Sequence, residues 1–384
     1  MAHPTGSRPF GPNLRNMNKC HIAPLACAAA LLGTGLGAAA PTAAHTVHLV
    51  RPGESIQKAV DSARPGDTVL LARGTHRESV SVSTPGLTLR GMGRGTVLRP
   101  QAGPGTATAP DTATAPDTGS AAGSCAAAGN GICVEGTRDH NVDGVTIASL
   151  TVTGFRKAGV YAHEADRLTV RNVGAVGNGV WGIATEQSVR GVFRGNTARD
   201  NGDAGLFLAN TVTAEQGAMD TGGTLVERNR LQGNRIGVTV RRLRNLTLTD
   251  NHLTGNCAGV FVVGDENKPK AGLVTVRENR IERNNKSCPK TARLDALQGS
   301  GIVLTGTEDN LVTRNVIRDN VGTSPLSGGI VVFKSFVGTP SERNRISHNL
   351  LQGNAPADLV NTDPGQGNTF QGNTCRLSTP AGLC

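Results

Sequence analysis

The sequence predicts an all-β solenoid, in which short strands coil and each repeat stacks on the one before. Three observations lead there. Val226, Asn229, Leu231, Asn234, Gly237, Val238 and Val240 return 22 residues later as Leu248, Asn251, Leu253, Asn256, Gly259, Val260 and Val262. A fixed repeat of this length is the mark of a solenoid. Apolar residues inside each unit alternate with period two, which specifies strands rather than helices. Finally, paired asparagines recur, the first at Asn196, Asn229, Asn251, Asn279, Asn315, Asn344 and Asn368, the second at Asn201, Asn234, Asn256, Asn284, Asn320, Asn349 and Asn373. They are expected at the bends, tolerating left-handed backbone and bonding from coil to coil as structural ladders. Longer steps between units read as the same unit carrying inserted loops.

Taken in order, residues 1–44 are set apart. Arg8, Arg15 and Lys19 precede an Ala/Leu/Gly run from Ile22 to Ala40 and then Thr42-Ala43-Ala44. A basic region, an apolar run and small residues are the layout of a secretory signal, and the segment from Met17 is already a complete one. Export to an extracellular location is therefore expected. Cys27 lies before most of the apolar run, which argues against a lipid-anchor cysteine, and no later stretch is apolar and long enough to span a bilayer. Next, Ser55 is placed to cap a short helix with apolar face Ile56, Ala59, Val60 and Ala63. Such a lid covers the otherwise open first coil. Residues 45–100 thus form the amino-terminal cap and first coils, with strands around Val69–Leu71, Val80–Val82 and Leu87–Leu89. Residues 101–124 hold Thr-Ala-Thr-Ala-Pro-Asp twice in succession and lack large apolar residues, so they read as a low-complexity loop. Residues 125–384 carry the remaining coils and a carboxy-terminal cap. There a Gly-apolar-x-apolar strand recurs at Gly131, Gly159, Gly182, Gly205, Gly237, Gly259, Gly301 and Gly329.

The opening Val50-Arg-Pro-Gly-Glu-Ser-Ile-Gln-Lys-Ala-Val60, then Pro65-Gly-Asp-Thr-Val69, Gly74-Thr-His-Arg-Glu78 and Gly86-Leu-Thr-Leu-Arg-Gly91, together with the asparagine units, resemble the pectin-lyase-like superfamily. The resemblance runs from about Val47 to Cys375 and is nearest to short-repeat members with asparagine ladders. It implies a single-stranded right-handed parallel β-helix with an N-terminal capping helix. It does not imply one activity, because the fold hosts lyases, hydrolases, esterases, epimerases and binding proteins.

With residues 1–44 removed, six cysteines remain: Cys125, Cys133, Cys257, Cys288, Cys375 and Cys384. An even number in an exported chain suggests disulfides, although the sequence does not fix their connectivity. Cys257 and Cys288 follow the second asparagines of consecutive coils and should be neighbours. Close pairs at Cys125/Cys133 and Cys375/Cys384 would complete the set. Removing the same segment takes the formal charge from +10 to +7, mostly from arginine. This excess fits an acidic polysaccharide or cell-wall polymer as partner, or a merely decorated surface. One Trp and one Tyr leave little for stacking, which disfavours nucleic acid. A monomer is expected.

Insertions at 211–223, 264–271 and 335–340 follow the Gly-apolar-x-apolar strand, and those at 285–298 and 322–328 precede it. Flanking loops would make the outer face of that sheet the floor of a groove. Two residues after each glycine lie Cys133, Tyr161, Ala184, Phe207, Thr239, Phe261, Val303 and Val331. Four after lie Glu135, His163, Glu186, Ala209, Arg241, Val263, Thr305 and Phe333. Glu135, His163 and Glu186 should stack on successive coils, roughly 5 Å apart, with Arg241 two coils on. The candidate catalytic residues are accordingly Glu135, His163, Glu186 and Arg241. Two carboxylates suit a glycosidase, and His163 with Arg241 suits proton abstraction beside a uronate carboxylate. Tyr161, Phe207, Arg242, Phe261, Lys268 and Lys334 are the candidate substrate contacts. The plainer reading, which the residues favour, is a solvated cross-strand ladder, since exposed Glu and His need no special explanation. One histidine and two carboxylates also admit a divalent cation such as calcium, though no metal ligand is assigned.

Catalytic signatures do not carry over from the family. Asn361-Thr362-Asp363 resembles one pectinase element, but no Asp-Asp pair, Gly-His-Gly or Arg-Ile-Lys accompanies it. The pectin-esterase motifs are missing too. Asp363-Pro364 continues as Gly365-Gln366, not as the epimerase Asp-Pro-x-Asp, and no Asp cluster matches the calcium site of pectate lyases. The chain also resembles exported β-helix accessory proteins of copper-enzyme maturation, yet lacks a His/Met/Cys cluster suited to copper. The functional expectation is recognition, and potentially cleavage, of an acidic extracellular polysaccharide by a lyase or hydrolase. A noncatalytic binding module and a metal-handling accessory protein are the alternatives.

Overall fold

A computed structural model describes residues 45–101, 124–137, 139–292 and 294–384. The expected signal segment and nearly all of the expected low-complexity loop lie outside the described residues. Three long parallel sheets of 12, 10 and 11 strands, here sheets A, B and C, form the faces of one coil. Each coil contributes one strand to each sheet and stacks on the previous coil by parallel pairing. Among the described residues the one helix is Ile56–Ser62. Ser55 caps it by accepting from the Lys58 amide, and Ile56 and Val60 are its buried residues.

Alternation inside each strand sends every second side chain inward, and the inward residues stack in register. In sheet A the stack runs Val226, Leu248, Val276, Val312, Ile346. In sheet B it runs Leu231, Leu253, Ile281, Ile317, Leu351. In sheet C it runs Val160, Ile183, Leu206, Val238, Val260, Ile302, Ile330. All belong to one continuous core, and each fully buried side chain of this size contributes about 1.5–3 kcal/mol. The strand glycines of sheet C are needed for close approach: a Cβ on Gly237 would lie 2.6 Å from the Gly259 carbonyl oxygen, and one on Gly301 would lie 2.2 Å from that of Gly329.

Buried asparagines close the corners. Each Oδ1 accepts from the backbone amide and the Nδ2 of the asparagine one coil earlier, as Asn251 does from Asn229 at 3.0 and 2.9 Å. The left-handed residue is not the ladder asparagine, as the sequence suggested, but its predecessor. Arg228, Asp250, Glu278, Arg314 and His348 all have φ between 53° and 58°. This turn aims the following asparagine inward, where its amide can serve the next coil. A second correction concerns register. Asn315 bonds Asn349 and Asn349 bonds Asn373, whereas Asn344 lies between Asn310 and Asn368 in a third ladder at another corner. Asparagines five residues apart occur at neighbouring corners, so the spacing alone allows a slip of one corner.

The three disulfides are Cys125–Cys133, Cys257–Cys288 and Cys375–Cys384, the pairs expected.

Candidate functional site

Counting four residues from each strand glycine places side chains as expected. Glu135 pairs with His163, His163 with Glu186, Glu186 with Ala209, and Ala209 with Arg241. Glu135, His163 and Glu186 all lie half-buried on the outer face of sheet C. Their immediate partners differentiate them. His163 Nδ1 is 3.6 Å from a Glu164 carboxylate oxygen. Tyr161 donates its hydroxyl to Glu186 Oε2 at 2.9 Å, and Val212 donates its amide to Glu186 Oε1 at 2.7 Å. Arg241 Nη1 donates to the Val212 carbonyl at 2.7 Å. Glu186 and Arg241 therefore clasp both polar groups of one residue in the loop that follows Asn210, and the reaction roles expected for them compete with that task.

Burial shifts three of these groups. It raises the Glu135 carboxyl above its ordinary value, partly offset by His163. It also raises the Tyr161 hydroxyl, aided by the charge of Glu186, so Tyr161 stays protonated and remains a donor. Burial works against the Arg241 guanidinium, and the Arg242 charge adds to the effect.

The groove expected along sheet C is largely roofed. Phe261, Val303 and Val331 are 2, 0 and 0 % exposed and pack beneath Cys288, Leu297 and Leu326 of the inserted loops. These apolar residues point out of the coil as counted, but burial under a loop stabilises them more than exposure would. Phe261 is consequently part of a second core rather than an open ligand contact. Phe207, 7 % exposed, stacks on Trp181 with ring centroids 4.6 Å apart. Arg242 is also displaced from its expected role: φ is +53°, and its buried guanidinium binds Asp265 and donates to the Ala214 carbonyl. Its left-handed backbone swings the side chain under the loops instead of onto the face. Lys268 and Lys334 are exposed at the loop edge. Tyr161 alone among the expected aromatic contacts keeps appreciable exposure.

Four neighbours escaped the sequence reading. Lys157 lies 5.9 Å from the Tyr161 ring centroid and 5.5 Å from that of Trp181. The Trp181 indole N–H donates to Asp203 at 3.2 Å. Glu164 follows His163 in left-handed backbone. The residue before each strand glycine also faces outward, and counting from that position would have found Trp181.

Among the described residues no group of three or more His, Cys, Asp or Glu is arranged to hold a metal ion. All six cysteines at 125–384 are in disulfides. Among the described residues, histidine and free thiol donors are not clustered as copper prefers.

Comparison with known proteins places the fold. A family model described as a right-handed β-helix region matches residues 124–273. Another, described as periplasmic copper-binding protein (NosD), matches residues 209–376. No curated protein matches the sequence. The polygalacturonase from Erwinia carotovora ssp. carotovora is similar in structure, with TM-score 0.54 and 12 % identity, over 87 % of this chain and 94 % of that one. The Dettilon tailspike protein gives 0.53 and 11 %, over 85 % and 67 %. ORF18 of Geobacillus virus E2 gives 0.52 and 13 %, over 83 % and 56 %. The chain is a right-handed parallel β-helix protein. The fold implied by the opening segment and the asparagine units is thus the fold observed, and at these identities the likeness extends to fold alone.

Proposed function

We propose that the protein is an exported β-helix that recognises an extracellular or periplasmic polysaccharide without cleaving it. The observation that carries this reading is the division of labour on sheet C. Glu186 and Arg241 hold the loop at Val212, while Glu135, Tyr161, His163 and Glu164 remain partly open on adjacent coils. Half-buried carboxylates and an imidazole accept and donate hydrogen bonds to sugar hydroxyls, and the exposed part of Tyr161 supplies apolar contact. The setting is supported by three disulfides and by the family model described as periplasmic. The fold is shared with a polygalacturonase, which makes a carbohydrate the ligand class to test first.

The test is a panel of neutral and acidic polysaccharides incubated with the protein, following binding, new reducing ends and unsaturated uronate products. Binding without either product is expected, weakened in Tyr161→Ala and His163→Ala. Reducing ends lost in Glu135→Gln would replace the binding reading with a hydrolase. Unsaturated products would replace it with a lyase. No binding across the panel would end the carbohydrate reading.

A further inference from the structure

We infer that a second surface, on the corner between sheets A and B, binds an anionic polysaccharide lying along the coil axis. This rests on the polysaccharide reading only for the class of polymer; its residues are separate from those of sheet C. Arg90 and Arg171 each pair with Ala148, from either side, in the outer column of sheet A, and Arg194 follows Arg171 on the next coil. Arg230 pairs with Thr197 at the first position of their sheet B strands. Arg94 reaches across two coils to donate to Thr197 Oγ1 at 3.4 Å, which brings its guanidinium beside the strand of Arg230. Arg228 occupies the left-handed corner between the two sheets.

All six arginines are exposed. Among the described residues, Arg194 alone of the six makes an ion pair, with Glu227 one coil on. Asp250 occupies the corner position one coil beyond Arg228, without an ion pair to it. Like charges facing each other on adjacent strands, as Arg171 and Arg194 do, are unfavourable. Fold stability gives no reason to gather them, whereas a polyanion supplies the missing counter-charge. Guanidinium forks bind carboxylate and sulfate in bidentate fashion. Successive coils present them at a spacing of roughly 4.8 Å or small multiples of it, which suits a linear chain bearing one anionic group per sugar. Duplex or single-stranded nucleic acid is the other polyanion to consider. The strip offers no aromatic side chain for base stacking, and disulfides belong to compartments outside the cytosol.

The test measures affinity for heparin, polygalacturonate, neutral dextran and single-stranded DNA over a salt series, using the full chain. Arg228→Gln/Arg230→Gln, and separately Arg171→Gln, should weaken heparin and polygalacturonate binding about tenfold or more and flatten its salt dependence. All replaced side chains are exposed, and an unchanged melting temperature would verify folding. Unchanged polyanion affinity in both variants would overturn the proposal, as would DNA binding tighter than either polysaccharide. Tyr161→Ala distinguishes the two surfaces: it should keep the salt-dependent part of heparin binding that the arginine variants lose. If Tyr161→Ala abolished heparin binding while the arginine variants did not, sheet C alone would carry the polymer.

Discussion

Replacing Asn251 by alanine tests whether the asparagine ladders hold the coils together. Its Oδ1 accepts from the Asn229 amide and side chain, and its Nδ2 donates to the Val226 carbonyl and Asn279 Oδ1. The Asn229 side chain retains the Phe193 carbonyl, and Asn279 Oδ1 retains the Asn251 amide. The buried Asn229 amide retains nothing. An orphaned buried donor costs about 1–3 kcal/mol, and each net hydrogen bond lost adds about 1 kcal/mol. Asn251→Ala should therefore destabilise by about 2–4 kcal/mol, read as a lowered urea midpoint by far-UV circular dichroism. Asn251→Asp separates hydrogen bonding from volume. It keeps the acceptor but sets a carboxylate oxygen against two other acceptors, and should cost at least as much at neutral pH. The exposed Asn141, outside the ladders and outside the left-handed positions, is the control and should move stability by less than about 0.5 kcal/mol. Asn251→Ala within that same range, or Asn251→Asp near wild type, would refute the ladder as a stabilising device.

Three further outcomes follow from the geometry. Phe261→Ala should destabilise by about 3–5 kcal/mol while leaving polysaccharide affinity unchanged, since the ring fills a second core under the loops; denaturation and binding on the same variant check both halves. Asp67 accepts from the Arg64 and Thr46 amides and from His48, which lowers its carboxyl from 3.8 to about 2. Its stabilisation is complete above the unfolded value and is lost as pH falls through the folded one, so Asp67→Asn should remove the loss of stability between about pH 4 and 2. Glu135 shifts the other way, so the folded protein takes up its proton more readily than the unfolded chain and charged Glu135 disfavours folding at neutral pH. Glu135→Gln should raise the melting temperature at pH 7, with the gain vanishing as pH falls through the raised value.

The coil was legible because its determinants are local and repeated. Val226 and Leu248 occupy one inward stack, and so do Leu231 and Leu253, because alternation and a constant step leave no other register that buries both sets. The same counting placed Glu135, His163 and Glu186 on one face. It failed at Asn344 and Asn368, where an inserted loop breaks the step and asparagines at two corners look alike in sequence. It failed also on the left-handed residue, since Arg228 or Glu278 before a ladder asparagine carries no turn preference of its own. The corner is imposed by the hydrogen bonds that the following asparagine makes, which are contacts between coils.

Pointing outward and being exposed are separate properties in a solenoid, and this decides where a ligand can bind. Phe207, Phe261, Val303 and Val331 all leave the coil, yet a loop covers each one. The covering residues, Val212, Cys288, Leu294, Leu297 and Leu326, are apolar residues within insertions. An inserted loop that merely flanked a groove would have no use for them, so their presence is a sequence sign of a roof. The coils of Glu135, His163 and Glu186 precede the first such loop, which ends at Glu186 itself through Val212. Glu186 is thus the boundary between a covered and an open face, and a polysaccharide reaching sheet C must approach from the Glu135 side. Glu186→Gln keeps Tyr161 bonded but weakens the hold on Val212, whereas Tyr161→Phe removes the bond to Glu186 without touching the loop. If the boundary matters to binding, Glu186→Gln should impair polysaccharide affinity more than Tyr161→Phe does; equal effects would mean that the loop edge plays no part.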